Sequence, residues 1–486
     1  MMNSNIQDSR LFKIANPAGI AFFGASNNYS SMGTNMLQSI QAMGFKGALY
    51  PVHPKEETVL GLTAYASVSD LPETPDLAVI VLPTRIVIET MEACGKKGIK
   101  HAIVVTAGFK EMGTDGIALE KKLLETTRAY GITMVGPNCI GVTNPHHLLN
   151  STFLPFEGTP GFIGMASQSG SFITQMFGYL GPRGLGFSTG FSVGNEADAD
   201  IVDCMEYFGA CPHTRVIALY IESIRRGRAF IETARAITPE KPIVAFYVGG
   251  SEGGKRASFS HTGSLAGPDR LYDGIFRQSG VIRAYSIDEM FDFCYVLGTL
   301  PPPAGNRVAI QTHSGGPGAA AADGCSRAGL VLPSLSDDTR DKLSPYIPAT
   351  ASHANPVDLT YTKNPLDYFS KIPEILLSDE HTDSMLVYLL ASSSMIKRAL
   401  EGMGMSAGDA DENTEKIIDQ QCSSMADIMT SGGKPLVGYS FLTRQNSFIK
   451  NLQDKGIPVL PGPERAAKAM GALVRYKQLR DKIAED

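Results

Sequence analysis

Along the whole chain, short apolar runs end in glycine-, serine- or proline-rich turns and lead into stretches with helical spacing. Runs that are apolar throughout, rather than alternating, predict strands buried on both faces. Their alternation with helices predicts parallel, doubly wound sheets. The pattern divides into three blocks. In residues 14–145 the order is strand GIAFFGAS, a helix near residues 34–43, strands ALYPVHP and DLAVIVLP, a helix to Lys97, strand KHAIVVTAG, a helix to Tyr130 and strand TMVGPN. Residues 158–300 repeat the logic with GFIGMASQSG, VIALYIES, PIVAFYVGG and VIRAYS. The stiff stretch PPPAGN follows, which neither a helix nor a central strand tolerates. Residues 307–478 open again with strand RVAIQTHSGG and the helix-like PGAAAADGCSRAG, then MLVYLLA, KPLVGY and a terminal pattern around GIPVLPGPERAAKAM. Blocks two and three share one opening, a strand, a small-residue turn (SQSGS or THSGG) and a helix, so they are read as related α/β domains. The closing YKQLRDKIAED is read as a solvated helix end.

Composition narrows the class. A chain of 486 residues can bury several cores, and its net charge of −6 argues against a nucleic-acid binder or a basic membrane-surface protein. The seven cysteines are scattered, without a CxxC pair or zinc-like spacing, which fits reduced thiols in cytosol. The N-terminal residues lack the apolar core of a signal peptide, and no apolar run is long enough to span a bilayer. A cytoplasmic protein without membrane or nucleic-acid partners is therefore expected.

Candidate chemistry concentrates in a few turns. GGSEGGKRASFSHTGSLAG sets His261 in a loop dense with glycine and serine, and a neutral imidazole can carry a phosphoryl group between reactants. SQSGS (Ser167, Gln168, Ser169, Gly170, Ser171) and HSGGPG, with Ser314, Gly315 and Gly316, each lead into a helix whose first N–H groups favour an oxyanion. The bland alternative for each is a tight turn kept small for packing; their recurrence favours two cradles converging on one phosphate. Glu222 ends the apolar run VIALYI, where a carboxylate could orient His261; its alternative is a rim carboxylate paired with Arg225 or Arg226. Near the N-terminus GASNNYSSMG points glycine and hydroxyl groups at a helix start and reads as a further anion-binding turn, its alternative being a purely structural turn. It does not fit G-x-G-x-x-G, and the second strand lacks the acidic residue of an NAD site, ending instead at Lys55. The carboxylates Glu196, Asp198, Asp200 and Asp203 read as a helix start with solvated acidic side chains, not as a metal site.

GPNCIGV, SQSGS, YIES and SHTGSLAG occur in an order that resembles the succinyl-CoA synthetase superfamily, and most closely the alpha subunit of NDP-forming acyl-CoA synthetases. The third block is similar too, through RVAIQTHSGGPG, NPVDL and GIPVLPGPERAAKAMGALVRY, so the resemblance covers roughly residues 14–478. It implies an N-terminal Rossmann-like CoA-binding domain followed by two flavodoxin-like, succinyl-CoA synthetase-like parallel-sheet domains. It implies that His261 is the phosphohistidine, Glu222 its orienting carboxylate, and SQSGS and SGG the heads of the phosphate-binding helices. Coenzyme A would lie against Gly24, Ala25, Ser26, Lys55, Pro83 and the turn Thr106, Ala107 and Gly108, with Asn138 beside the active site. Asn355 and Asp358 match NPVDL without an assigned role. The family's ATP-grasp domain is not seen in this chain, so the resemblance implies a separate beta subunit carrying ATP or ADP with Mg²⁺, in an alpha2beta2 heterotetramer. Acyl-CoA, ADP and phosphate would be interconverted with a small carboxylic acid, CoA and ATP. A CoA-binding sensor without ligase activity, an ATP-independent phosphate or carbamoyl transferase acting on CoA thioesters, and an NAD-dependent oxidoreductase are the competing readings.

Overall fold

The computed structural model describes residues 5–251, 253–254, 267–348, 350–360, 364–390 and 393–485. It forms two compact units, Met1–Tyr285 and Ser286–Asp486. The first unit holds two sheets. Its N-terminal sheet runs Ala48–Val52, Gly19–Phe23, Leu77–Ile80, His101–Val104 and Thr133–Val135, all parallel. The second sheet has a parallel core ordered Phe187–Ser192, Ile163–Ser167, Val216–Ile221, Ile243–Tyr247 and Ile282–Ala284. In the second unit Val357–Asp358, Val308–Thr312, Ser384–Tyr388, Leu436–Ser440 and Val459–Pro461 form the third sheet.

Numbered by appearance within each sheet, all three parallel cores share the order 2-1-3-4-5. In each, the chain winds one way from the first strand and then the other, which opens a crevice at the carboxyl ends beside that strand. The apolar runs explain the arrangement: Gly19–Phe23, Leu77–Ile80, Ile163–Ser167 and Val308–Thr312 are buried at every position, as strands covered on both faces must be.

Three features go beyond the sequence pattern. The second sheet is extended by Val142–Asn144 and Leu149–Asn150, which pair antiparallel where a connector was expected. The helix Ile287–Thr299, just before PPPAGN, packs within the second compact unit. Its acidic face meets the helix Pro463–Glu485, where Arg465 binds Asp292 at 2.6 Å and Lys468 binds Glu289 at 2.8 Å. That last helix is not solvated to its end, since Tyr476 and Leu479 are buried.

Candidate functional site

The residues expected to hold coenzyme A all follow strands of the first sheet, so its winding gathers them at one edge. Gly24 closes the first strand at φ +98°, and a Cβ there would lie 2.0 Å from the Val81 carbonyl oxygen; only glycine fits. Gly33, in the first turn of the helix Met32–Ala42, presses on the Gly24 carbonyl, where a Cβ would come within 2.2 Å. Ala25 is buried beside it, and Ser26 is fixed by Thr34, whose hydroxyl accepts from the Ser26 N–H at 3.0 Å and donates to its carbonyl at 2.9 Å. Lys55 and Pro83 are exposed, the latter heading the helix Thr84–Lys97. Thr106 stitches the neighbouring turn by donating to the Leu82 carbonyl at 2.7 Å, and Gly108 (φ +102°) begins a tight reversal.

In the second sheet, Ser167 ends the strand and donates to the Ser169 carbonyl at 2.8 Å. Ser171 heads the helix Phe172–Leu180 without capping it through its side chain. The third sheet repeats this device: Thr312 donates to the Ser314 carbonyl at 2.9 Å, and Ser314 heads Gly315–Arg327, again without a side-chain cap. Gly315 and Gly316 are exposed, and the half-buried His313 has ring centroids 5.0 Å from both Tyr368 and Tyr388. A helix start whose cap side chain is disengaged keeps N–H groups for an anion.

Gln168 differs from the expectation that it faces phosphate. It is buried, and its amide is committed to protein. Its oxygen accepts from the Glu222 and Ser223 N–H groups, and its nitrogen donates to Glu196 Oε2 and the Ser223 carbonyl, each at 2.7 Å. Gln168 therefore fixes the turn on which Glu222 stands. Glu222 is itself buried at 8% exposure. The pairing with Arg225 or Arg226 does not arise in the form considered: Arg225 donates to the Glu196 carbonyl, and Arg226 binds Asp200 and Asp203. His261 lies outside the described residues.

The acidic cluster differs most from the solvated helix start expected of it. Asp200 does start the helix Ile201–Ala210, in a reciprocal cap with Asp203. But Glu196, Asp200 and Asp203 are buried rather than solvated, and Asp198 binds Arg10 at 2.8 Å. Glu196 takes a left-handed backbone, φ +51°, and its carboxylate spans Gln168 and the Ile201 N–H at 2.9 Å. Burial, reinforced by Asp200, pushes its pKa up to about 7 against those two hydrogen bonds. Asn195 donates to Glu111 Oε2 at 2.6 Å and to Glu120 Oε2 at 2.9 Å, while Asn138 (φ +58°) donates to Asn195 Oδ1 at 3.2 Å. Glu111 in turn accepts the Gly108 and Phe109 N–H groups. Burial works against its ionisation, but Asn195 and these N–H groups outweigh it and hold its pKa below the usual range. In the second unit, Asn355 accepts from the Ile310 N–H at 2.9 Å and donates to the Val308 carbonyl at 2.8 Å, so it braces the first strand of its sheet. Asp358 accepts the Thr360 N–H at 3.1 Å. Asn195 and Glu111 were not singled out in the sequence, and Glu196 was taken there for a solvated carboxylate. The one hint was acidic residues interleaved with Ala197, Ala199, Ile201 and Val202.

Comparison with known proteins agrees with this geometry. Residues 18–145 match the CoA binding domain family, and residues 160–297 match the succinyl-CoA ligase like flavodoxin domain family. The fold and its turns thus define a protein of the succinyl-CoA ligase class with a CoA-binding domain. Over 461 residues the chain is 38% identical to the alpha subunit of acetate–CoA ligase [ADP-forming] II of Pyrococcus furiosus, covering 95% of this chain and 96% of the relative. It is 35% identical to acetate–CoA ligase [ADP-forming] I of Archaeoglobus fulgidus over 97% of this chain, but spans only 64% of that longer relative. A solved acetyl-coenzyme A synthetase 1 of Ca. Korarchaeum cryptofilum, in complex with phosphate and ADP, superposes with a TM-score of 0.85 at 32% identity, covering 98% of each chain. The chain belongs to the family of ADP-forming acetate–CoA ligase alpha subunits.

Proposed function

We propose that this chain is the alpha subunit of an ADP-forming acyl-CoA synthetase. Coenzyme A occupies the crevice at the carboxyl edge of the first sheet, against Gly24, Ala25, Ser26, Lys55, Pro83, Thr106, Ala107 and Gly108. Phosphate attacks the acyl-CoA carbonyl, the C–S bond breaks, and acyl phosphate and free CoA form. An imidazole nitrogen of His261 then attacks phosphorus, the P–O bond to the acyl group breaks, and the carboxylate leaves. Glu222 accepts a hydrogen bond from the other ring nitrogen and stabilises the cation that develops. The SQSGS and SGG turns receive phosphate oxygens through backbone N–H groups. ADP, held with Mg²⁺ on a separate ATP-grasp beta subunit in an alpha2beta2 assembly, takes the phosphoryl group and leaves His261 free. The enzyme works in the cytoplasm on a small carboxylic acid.

One observation carries the reading: Glu222 stands at the carboxyl end of the strand Val216–Ile221, locked by Gln168 of the SQSGS turn, next to a domain of the CoA-binding family. A separate partner subunit is supported by the name of the Pyrococcus furiosus relative, a subunit alpha matched over 96% of its length, and by the longer Archaeoglobus fulgidus relative, of which this chain covers 64%. The test is to incubate the chain with its partner, radiolabelled ATP and Mg²⁺. Acid-labile, base-stable label should appear on the chain and vanish in His261→Ala; label persisting in that variant rules the carrier out. Glu222→Gln should slow labelling more than it weakens CoA binding.

A further inference from the structure

We infer that Asn195 and Glu196 are positioning residues that couple occupation of the coenzyme A crevice to the setting of Glu222; the inference rests on the function proposed above. A path of hydrogen bonds, joined by the peptide link between Asn195 and Glu196, runs between the two places. Gly108 and Phe109 donate backbone N–H groups to Glu111, and Glu111 accepts from Asn195 at 2.6 Å. The next residue, Glu196, accepts from Gln168 at 2.7 Å, and Gln168 accepts the backbone N–H groups of Glu222 and Ser223. Asn195 and Glu196 are each only 3% exposed, so water does not replace a broken link cheaply. The path is also stiff. Asn195 is tied to Pro137 by its N–H at 2.9 Å, and a Cβ on Gly194 would meet the Asn138 and Pro137 carbonyls at 2.4 Å. A non-glycine residue held at φ +51° with its carboxylate buried costs free energy that packing alone does not require. Any shift of the Gly108 turn on binding coenzyme A must move Glu111, and through this path the Glu222 backbone.

The test uses the full chain with radiolabelled acetyl phosphate, which on the proposed function should phosphorylate His261 without the partner. Desulfo-coenzyme A, which lacks the thiol and cannot take the acyl group, is the crevice ligand. In the wild type, saturating desulfo-coenzyme A should change the labelling rate roughly fivefold or more, the lower end of ordinary coupling. In Glu196→Gln and Asn195→Ala the same ligand should bind within about twofold of wild type by calorimetry, yet change labelling less than about twofold. Retained binding also shows that the variants fold. A wild type that takes label and binds the ligand without any effect of one on the other overturns the coupling, as does a variant that keeps the full effect. A wild type that takes no label or binds no ligand counts instead against the function on which the coupling rests.

Discussion

Replacing Gln168 with methionine tests the local argument most sharply, because size and lack of branching are nearly kept while the amide is lost. The wild-type oxygen serves two buried N–H groups, of Glu222 and Ser223, and the nitrogen serves Glu196 and the Ser223 carbonyl. Methionine sulfur is a weak acceptor, so both N–H groups lose their partner, at about 1–3 kcal/mol each. Glu196 loses a donor as well, but its pKa is already about 7, and protonation softens that loss. Gln168→Met should therefore lower stability by about 3–5 kcal/mol, read as a shift of the urea midpoint at pH 8. Gln168→Glu separates the two halves of the amide. It keeps the oxygen for Glu222 and Ser223 but sets a second carboxyl against Glu196. Two facing carboxyls hold a shared proton, which raises their folded pKa above the unfolded value. The variant should thus approach wild-type stability near pH 5 and lose it as pH rises toward 8. A Gln168→Met protein within about 1 kcal/mol of wild type, or a Gln168→Glu protein indifferent to pH, would refute the account of this turn.

Three further outcomes follow from the structure. Glu196 titrates at about 7 when folded against 4.5 in the ordinary state, so it is stabilising to protonate it: its contribution falls as pH rises from about 4.5 to 7, by up to about 3 kcal/mol. The difference in urea midpoint between wild type and Glu196→Gln, measured at pH 5 and pH 8, isolates that slope. Asp200→Ala removes the cap of Ile201–Ala210 and should cost about 1–2 kcal/mol in thermal unfolding, whereas Asp200→Asn should recover much of it. Gly24→Ala should weaken coenzyme A binding at least about tenfold by calorimetry, since its Cβ would displace the Val81 carbonyl; unchanged affinity would detach that turn from the crevice.

The sequence by itself determined the strands, most helices and the nature of the turns. Each of these depends on neighbours along the chain: continuous apolar runs make doubly covered strands, and Gly24 or the small residues of SQSGS announce backbone approaches that side chains would block. It also marked the edge where Gly24, Lys55, Pro83 and Gly108 gather, because a parallel sheet sends every following loop to the same side. Tertiary structure decided what the polar side chains do. Gln168 looked like a phosphate ligand and is spent on Glu222 and Glu196, which lie 54 and 28 residues away. Glu196, Asp200 and Asp203 looked solvated and are buried against Arg226, Gln168 and backbone N–H groups. The helix Ile287–Thr299 is bound by Arg465 and Lys468, 173 and 179 residues further along the chain than the carboxylates they meet, a pairing its own sequence does not announce. A hydrogen bond or ion pair is worth forming inside a protein only where both partners are desolvated together, and which partners meet there is set by the packing of whole elements rather than by adjacency in sequence.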